Sequence, residues 1–262
     1  MPLQLEPVLW IFFLSVLTGY FVNYLSDVLP YTRRLSAPLC IHCQSIFSWK
    51  SYLLFKQCET CNKKRSIRTW LVYGIIFTGL MFIWFFPNTI GENTLIVELS
   101  RFENFALKGS AFIYLFLVAV IDLEHKAVLF PVVIFGVLFG VCFGLIYHGW
   151  ISTLLGFIVG FGSLLILYYL GVLFIKLLNR KRSEAIDEEA LGFGDVNLSG
   201  ILGLMLGYPG VFAGLFLGII VGGVGSLIYL IIGRLRGKYQ VFTPLPYAPF
   251  LIIGAAYFLF IF

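Results

Sequence analysis

Along this chain apolar residues neither alternate with polar ones nor mark a single helical face; they run on and stop at a charge, a proline or a glycine cluster. Eight such runs stand out, over 7–29, 69–86, 105–121, 127–147, 151–175, 195–208, 210–232 and 245–262. Most approach the ~20 residues that cross a hydrocarbon core about 30 Å thick as a helix. Strands of a membrane barrel would instead alternate polar and apolar positions over about 10 residues. The pattern therefore predicts an all-α polytopic membrane protein with about eight transmembrane helices. The sixth run is the shortest and is rich in glycine. Three blocks follow: a first transmembrane helix over 1–29, a polar insert over 30–68, and a seven-helix membrane domain over 69–262.

Composition agrees, with 60% hydrophobic and 12% charged residues in 262, against roughly 25% charged in an ordinary soluble domain. Charge adds an orientation. Loops 30–68, 122–126, 176–194 and 233–244 fall on one side of the predicted topology and hold 16 of the 18 Lys and Arg. Basic residues of short loops are retained in the cytoplasm, so these loops are expected there and both termini outside. The first run lacks a basic segment before it and a small-residue cleavage site after it, which favours an anchor over a signal peptide.

The insert holds Cys40-Ile41-His42-Cys43 and Cys58-Glu59-Thr60-Cys61, two CxxC pairs separated by 14 residues. Four thiolates so spaced suit one tetrahedral Zn²⁺. An insert this short has few apolar residues for a core, so the metal would supply much of its folding energy. Disulfides and free thiols are the alternatives, and a cytoplasmic loop disfavours stable disulfides. Four cysteines leave no open position for a catalytic water and make His42 superfluous as a ligand. Cys142, inside an apolar run, is expected to be a small packed side chain. The loop's basic charge is what membrane topology itself requires. With no recognition motif beside it, nucleic acid is not an expected partner.

Two acids stand where a basic-side loop meets an apolar run: Asp122 in AVIDLEHKAVLFP and Asp195 in GFGDVN. The third run heads inward and the sixth outward, so both acids fall at one membrane face. Two carboxylates in a partly dry site cannot both ionise easily, so one keeps a proton. Such a pair can activate a water for attack on a peptide carbonyl, one member as base and one as acid. Gly192 and Gly194 lack side chains and would let an extended substrate backbone approach. The plainer reading makes Asp195 a helix cap and Asp122 a turn residue. Glu124 and the run Glu184, Asp187, Glu188, Glu189 read as solvated loop faces.

Taken together these residues resemble the bacterial type IV prepilin peptidases. The resemblance rests on Gly192-Phe193-Gly194-Asp195, Asp122 followed by Leu129-Phe130-Pro131, and the two CxxC pairs between the first two runs. Gly19 to Asn23 with Leu29-Pro30, and Pro244 to Phe250, look like the family's terminal patterns. The resemblance implies a GxGD-type aspartic endopeptidase of the bacterial inner membrane. Its substrates would be prepilins or pseudopilins, cut after a Gly at the cytoplasmic face to release a short basic leader. Asp122 and Asp195 would be the catalytic pair, and Cys40, Cys43, Cys58 and Cys61 the ligands of a structural zinc. Many such enzymes then methylate the new N-terminus with S-adenosylmethionine. This chain departs from the pattern at Asn197, Tyr73, Asp27, Tyr247 and Ala248, and none of these is a proposed catalytic group or zinc ligand.

Two other classes follow from the same residues. Acids in membrane helices also serve as proton or ion relays, as in transporters, where they lie near the bilayer midplane. A non-catalytic pilin-binding protein would lack one of the two acids.

Overall fold

The computed structural model describes residues 5–86, 99–179, 191–235 and 246–262. Within them lie α1 (Leu5–Thr32), α2 (Trp49–Leu53), α3 (Ile67–Phe85), α4 (Arg101–His125), α5 (Phe130–Asn179), α6 (Phe193–Leu206), α7 (Gly210–Leu235) and α8 (Ala248–Phe260), and no strand. Five of these helices, α1, α3, α4, α5 and α7, are long and apolar enough to cross a membrane, and α6 and α8 are shorter apolar helices. The all-α polytopic membrane fold read from the runs is the fold observed. The acidic run Glu184 to Glu189, and Pro244 with its neighbour Leu245, lie outside the described residues.

Helix limits differ from the runs for local reasons. The first run stops at 29, but α1 continues through Pro30 to Thr32, since a proline in the last turn interrupts little of the hydrogen-bond ladder that follows it. The fourth and fifth runs are two arms of α5, broken at Gly149 with φ 73° and ψ 172°. A positive φ is strained for any residue with a Cβ, which is why glycine occupies the corner. Cys142, expected to be packed, is exposed on α5. The thiol is apolar enough to face lipid as readily as a core.

The chain divides into two compact units, one holding α1, α2, α3 and α4 up to Val120, the other Ile121 onward with α5 to α8. In the first unit Ile11, Val22, Ile76 and Leu80 are fully buried. Trp10 meets Trp84 and Phe105 edge-on, with ring centroids 4.9 and 5.1 Å apart, contacts that add about 1 kcal/mol each beyond burial. The hydroxyls of Ser15, Thr18 and Ser26 donate to carbonyls three or four residues back in α1. A polar side chain in lipid must find its partner within the protein, and its own helix is the nearest source.

One buried polar junction joins the elements of this unit. Arg68, in the first turn of α3, pairs with Asp27 of α1, and Tyr52 of α2 donates its hydroxyl to the other oxygen of Asp27 at 2.8 Å. Arg68 also reaches Asn23 Oδ1 at 3.4 Å, one helical turn before Asp27. Burial and the Asp27 charge push the Tyr52 phenol well above its ordinary range, so it stays protonated and donates. A cation at a helix N-terminus is electrostatically misplaced; Asp27 offsets that and ties the insert to two helices.

The second unit is organised by α6. From Asp195 to Leu206 all but Asn197 are buried, and a helix apolar all round belongs in an interior. It lies between the two arms of α5 at backbone contact. A Cβ on Gly156 would sit 2.2 Å from the Gly203 carbonyl oxygen, and one on Gly203 equally close to that of Gly156. Ser199 donates to the Gly160 carbonyl across the same seam at 2.9 Å. The second close pairing joins α7 and α8, where a Cβ on Gly254 would fall 2.3 Å from Gly218 N. Lipid gives apolar side chains no reason to prefer protein, so contact between small residues is what holds such helices together.

Two outcomes follow. Gly156→Val should lower stability by about 3 kcal/mol or prevent folding, because the neighbour is backbone, whereas Gly162→Ala, with nothing within 4 Å of its Cβ, should leave it unchanged or slightly raised. Asp27→Asn should cost about 3 kcal/mol by stranding the Arg68 charge, and Asp27→Leu with Arg68→Met should recover most of that. Thermal unfolding in detergent measures all four.

Candidate active site and metal centre

The insert folds around its cysteines as two turns of one design. In the first, Gln44 N–H donates to the Cys40 carbonyl at 2.8 Å and Cys40 N–H to the Ser45 carbonyl at 2.9 Å. In the second, Asn62 N–H donates to the Cys58 carbonyl at 2.8 Å and Cys58 N–H to the Lys63 carbonyl at 3.3 Å. The residue after each second cysteine, Gln44 or Asn62, is left-handed at φ 57° or 52°, and this bend turns both sulfurs of a pair to one side. All four Sγ atoms lie within 4.8 Å of one another, with Cys40 to Cys61 at 3.8 Å and Cys43 to Cys58 at 3.6 Å. A tetrahedron of Zn–S bonds of ~2.3 Å has edges of about 3.8 Å, so the donor set fits a metal such as zinc. His42 is exposed and is not one of the four clustered donors.

Electrostatics make the same case. Burial pushes the Cys40 thiol up to about 12, while hydrogen bonding from the Ser45 hydroxyl pulls Cys58 down to about 5. A cation held among the four sulfurs would favour the thiolate form of each.

The two acids belong to the second unit. Asp122 lies in the last turn of α4, whose end is set by Lys126 in a left-handed conformation, its N–H donating to the Asp122 carbonyl at 2.8 Å. Asp195 lies in the first turn of α6, its N–H donating to the Gly192 carbonyl at 3.0 Å. Both side chains are buried, 4% and 8% exposed, and the carboxylates are near enough to repel each other. Their polar partners are sparse. The Ala248 N–H serves Asp122 and the Gly192 N–H serves Asp195, while Asp122 Oδ2 is buried with no hydrogen-bond partner. A buried acceptor left empty is costly in a structural role, and its natural occupant is a water or a substrate group.

The flanking glycines differ from each other. A Cβ on Gly194 would come within 3.0 Å of Val128 Cβ, so its bareness is accounted for by packing against the link between α4 and α5. Gly192 is exposed, and its Cβ position faces Asp195 Oδ2 at 3.5 Å, leaving open backbone beside a carboxylate.

Sequence reasoning overlooked the contribution of α8. Ala248 begins that helix, and its N–H is one of the orphan donors of a helix start. Tyr247, just before it, lies within electrostatic reach of Asp195. The signal was present in the Pro244 to Phe250 segment, which read as a pattern without a role. The glycines at 214, 218 and 222 pack against α8 or its neighbours.

Comparison with curated proteins and with solved structures gave no match. Residues 110–227 match the family model of the type IV leader peptidase family. That segment contains both acids, Gly192 and Gly194, and stops short of α8 and of the cysteine cluster. With its membrane helices and its two buried acids, the matched segment is similar to the type IV leader peptidase family.

Proposed function

We propose that this protein is a membrane aspartic endopeptidase that removes the basic leader of type IV prepilins or pseudopilins, cutting after a Gly at the cytoplasmic face of the bacterial inner membrane. One observation carries the reading. Asp122 and Asp195, distant in sequence and in a chain with few charges, are both buried at helix ends within electrostatic reach of each other, and Asp122 Oδ2 lacks a hydrogen-bond partner.

The chemistry follows from that arrangement. With one carboxyl protonated and the other ionised, the ionised member takes a proton from water as its oxygen attacks the scissile carbonyl carbon. The protonated member donates to the carbonyl oxygen, and collapse of the tetrahedral intermediate, with a proton passed to the departing amine, breaks the C–N bond. Gly192 offers backbone to an extended substrate, and Gly194 holds the turn close. The substrate's apolar helix stays in lipid while its scissile bond meets water at the interface. Zinc on Cys40, Cys43, Cys58 and Cys61 would be structural, since the four sulfurs fill its coordination. Methylation of the new N-terminus from S-adenosylmethionine belongs to the family resemblance, and no residue of this chain is assigned to it.

Mass spectrometry of a prepilin incubated with the protein in lipid tests the reading. Leader loss should fall on the order of 10³-fold or more in Asp122→Asn and in Asp195→Asn. Both variants should keep or gain thermal stability, because either change removes a buried carboxyl whose ionised form is costly to desolvate. Intact prepilin with the unaltered, folded protein would point instead to binding or transport. In the same preparations Cys40→Ser should lose the bound zinc detected by elemental analysis and the amide-exchange protection of residues 39–62.

A further inference from the structure

The polar insert folds back on the helices that flank it. The Leu53 carbonyl accepts the Tyr20 hydroxyl at 2.6 Å, and the Ser36 carbonyl accepts that of Tyr24 at 2.6 Å. Phe55 stacks on Trp70 of α3 with centroids 5.1 Å apart, and Trp49 lies against Tyr24 at 5.2 Å. Tyr20 stands twelve residues before the end of α1, about 18 Å along its axis. The turn after α2 therefore lies alongside two apolar spans, well below the point where α1 ends.

What that turn shows outward is apolar. Trp49, Leu53 and Leu54 are 51%, 48% and 67% exposed. They continue the outer surface of the spans beside them, where Leu17, Phe21 and Trp70 are likewise exposed. Lys50, Lys56, Lys63 and Lys64 are exposed on the same insert, and Glu59 is its one exposed acid. Aromatic and aliphatic side chains beside lysines are the composition of a segment that lies in a membrane interface, and lysines there favour anionic lipid.

We propose that Trp49, Leu53 and Leu54, flanked by Lys50 and Lys56, dock into the headgroup boundary of a bilayer containing anionic lipid. The insert is then held by the membrane surface as well as by Asp27. This does not depend on the peptidase reading.

Photocrosslinking of the full chain in vesicles tests it. Benzoylphenylalanine is placed at Leu54, at Trp49, or at exposed Gln57, in preparations whose melting matches the unmodified protein. In phosphatidylglycerol vesicles, adducts of lipid mass should form at Leu54 and Trp49 at least about fivefold more than at Gln57. The yield should fall by at least about fivefold in phosphatidylcholine alone, and again in Lys50→Gln with Lys56→Gln, fivefold being the share of one lysine at an anionic surface. Equal yields at Leu54 and Gln57 would overturn the docking. Adducts at Leu54 with a second copy of the chain would overturn lipid as the occupant, and equal yields in neutral vesicles would overturn the role of anionic charge.

Discussion

A charge buried among apolar helices needs backbone donors or a counter-charge within reach, and helix starts are where this chain finds them. Asp195 occupies the first turn of α6, at the positive end of a helix dipole. Asp122 sits at the wrong end of its own helix, and the first N–H of α8 compensates. In the first unit Arg68 has the reverse problem, a cation at a helix start, and Asp27 answers it. Each unit is thus built about one polar junction at helix ends, and the apolar packing elsewhere fixes which ends meet.

The two junctions differ in how fully they are satisfied. Around Asp27 both carboxylate oxygens are engaged, by Arg68 and by Tyr52, as befits a structural joint. At Asp122 one oxygen is unengaged. On the proposed reading, the oxygen that Asp122 leaves unengaged is the one open to water or substrate.

Much of this was legible in the residues. Unbroken apolar runs showed the helices, because nothing else places so many consecutive apolar residues in lipid with their backbone satisfied. The CxxC spacing showed the cluster, because a turn of that length directs both sulfurs one way. Asp122 and Asp195 stood out since charge is scarce here. Asp27 registered only as a departure from a family pattern, for its meaning depends on Arg68 and Tyr52, 41 and 25 residues away. Ala248 escaped for the same reason: a backbone N–H has no letter in a sequence. Gly194 was read as open space, whereas Val128, brought in by the α4 to α5 link, fills it.

The helices that begin at the acid pair are also the short ones, 14 residues in α6 and 13 in α8. At 1.5 Å per residue they reach about 20 Å, some 10 Å less than the hydrocarbon they would cross. α6 is enclosed within its unit rather than facing lipid, so a short span there leaves room for water to follow the helix start inward. The proposed peptidase needs water and an apolar substrate at one point, and two short helices would shorten the path between them.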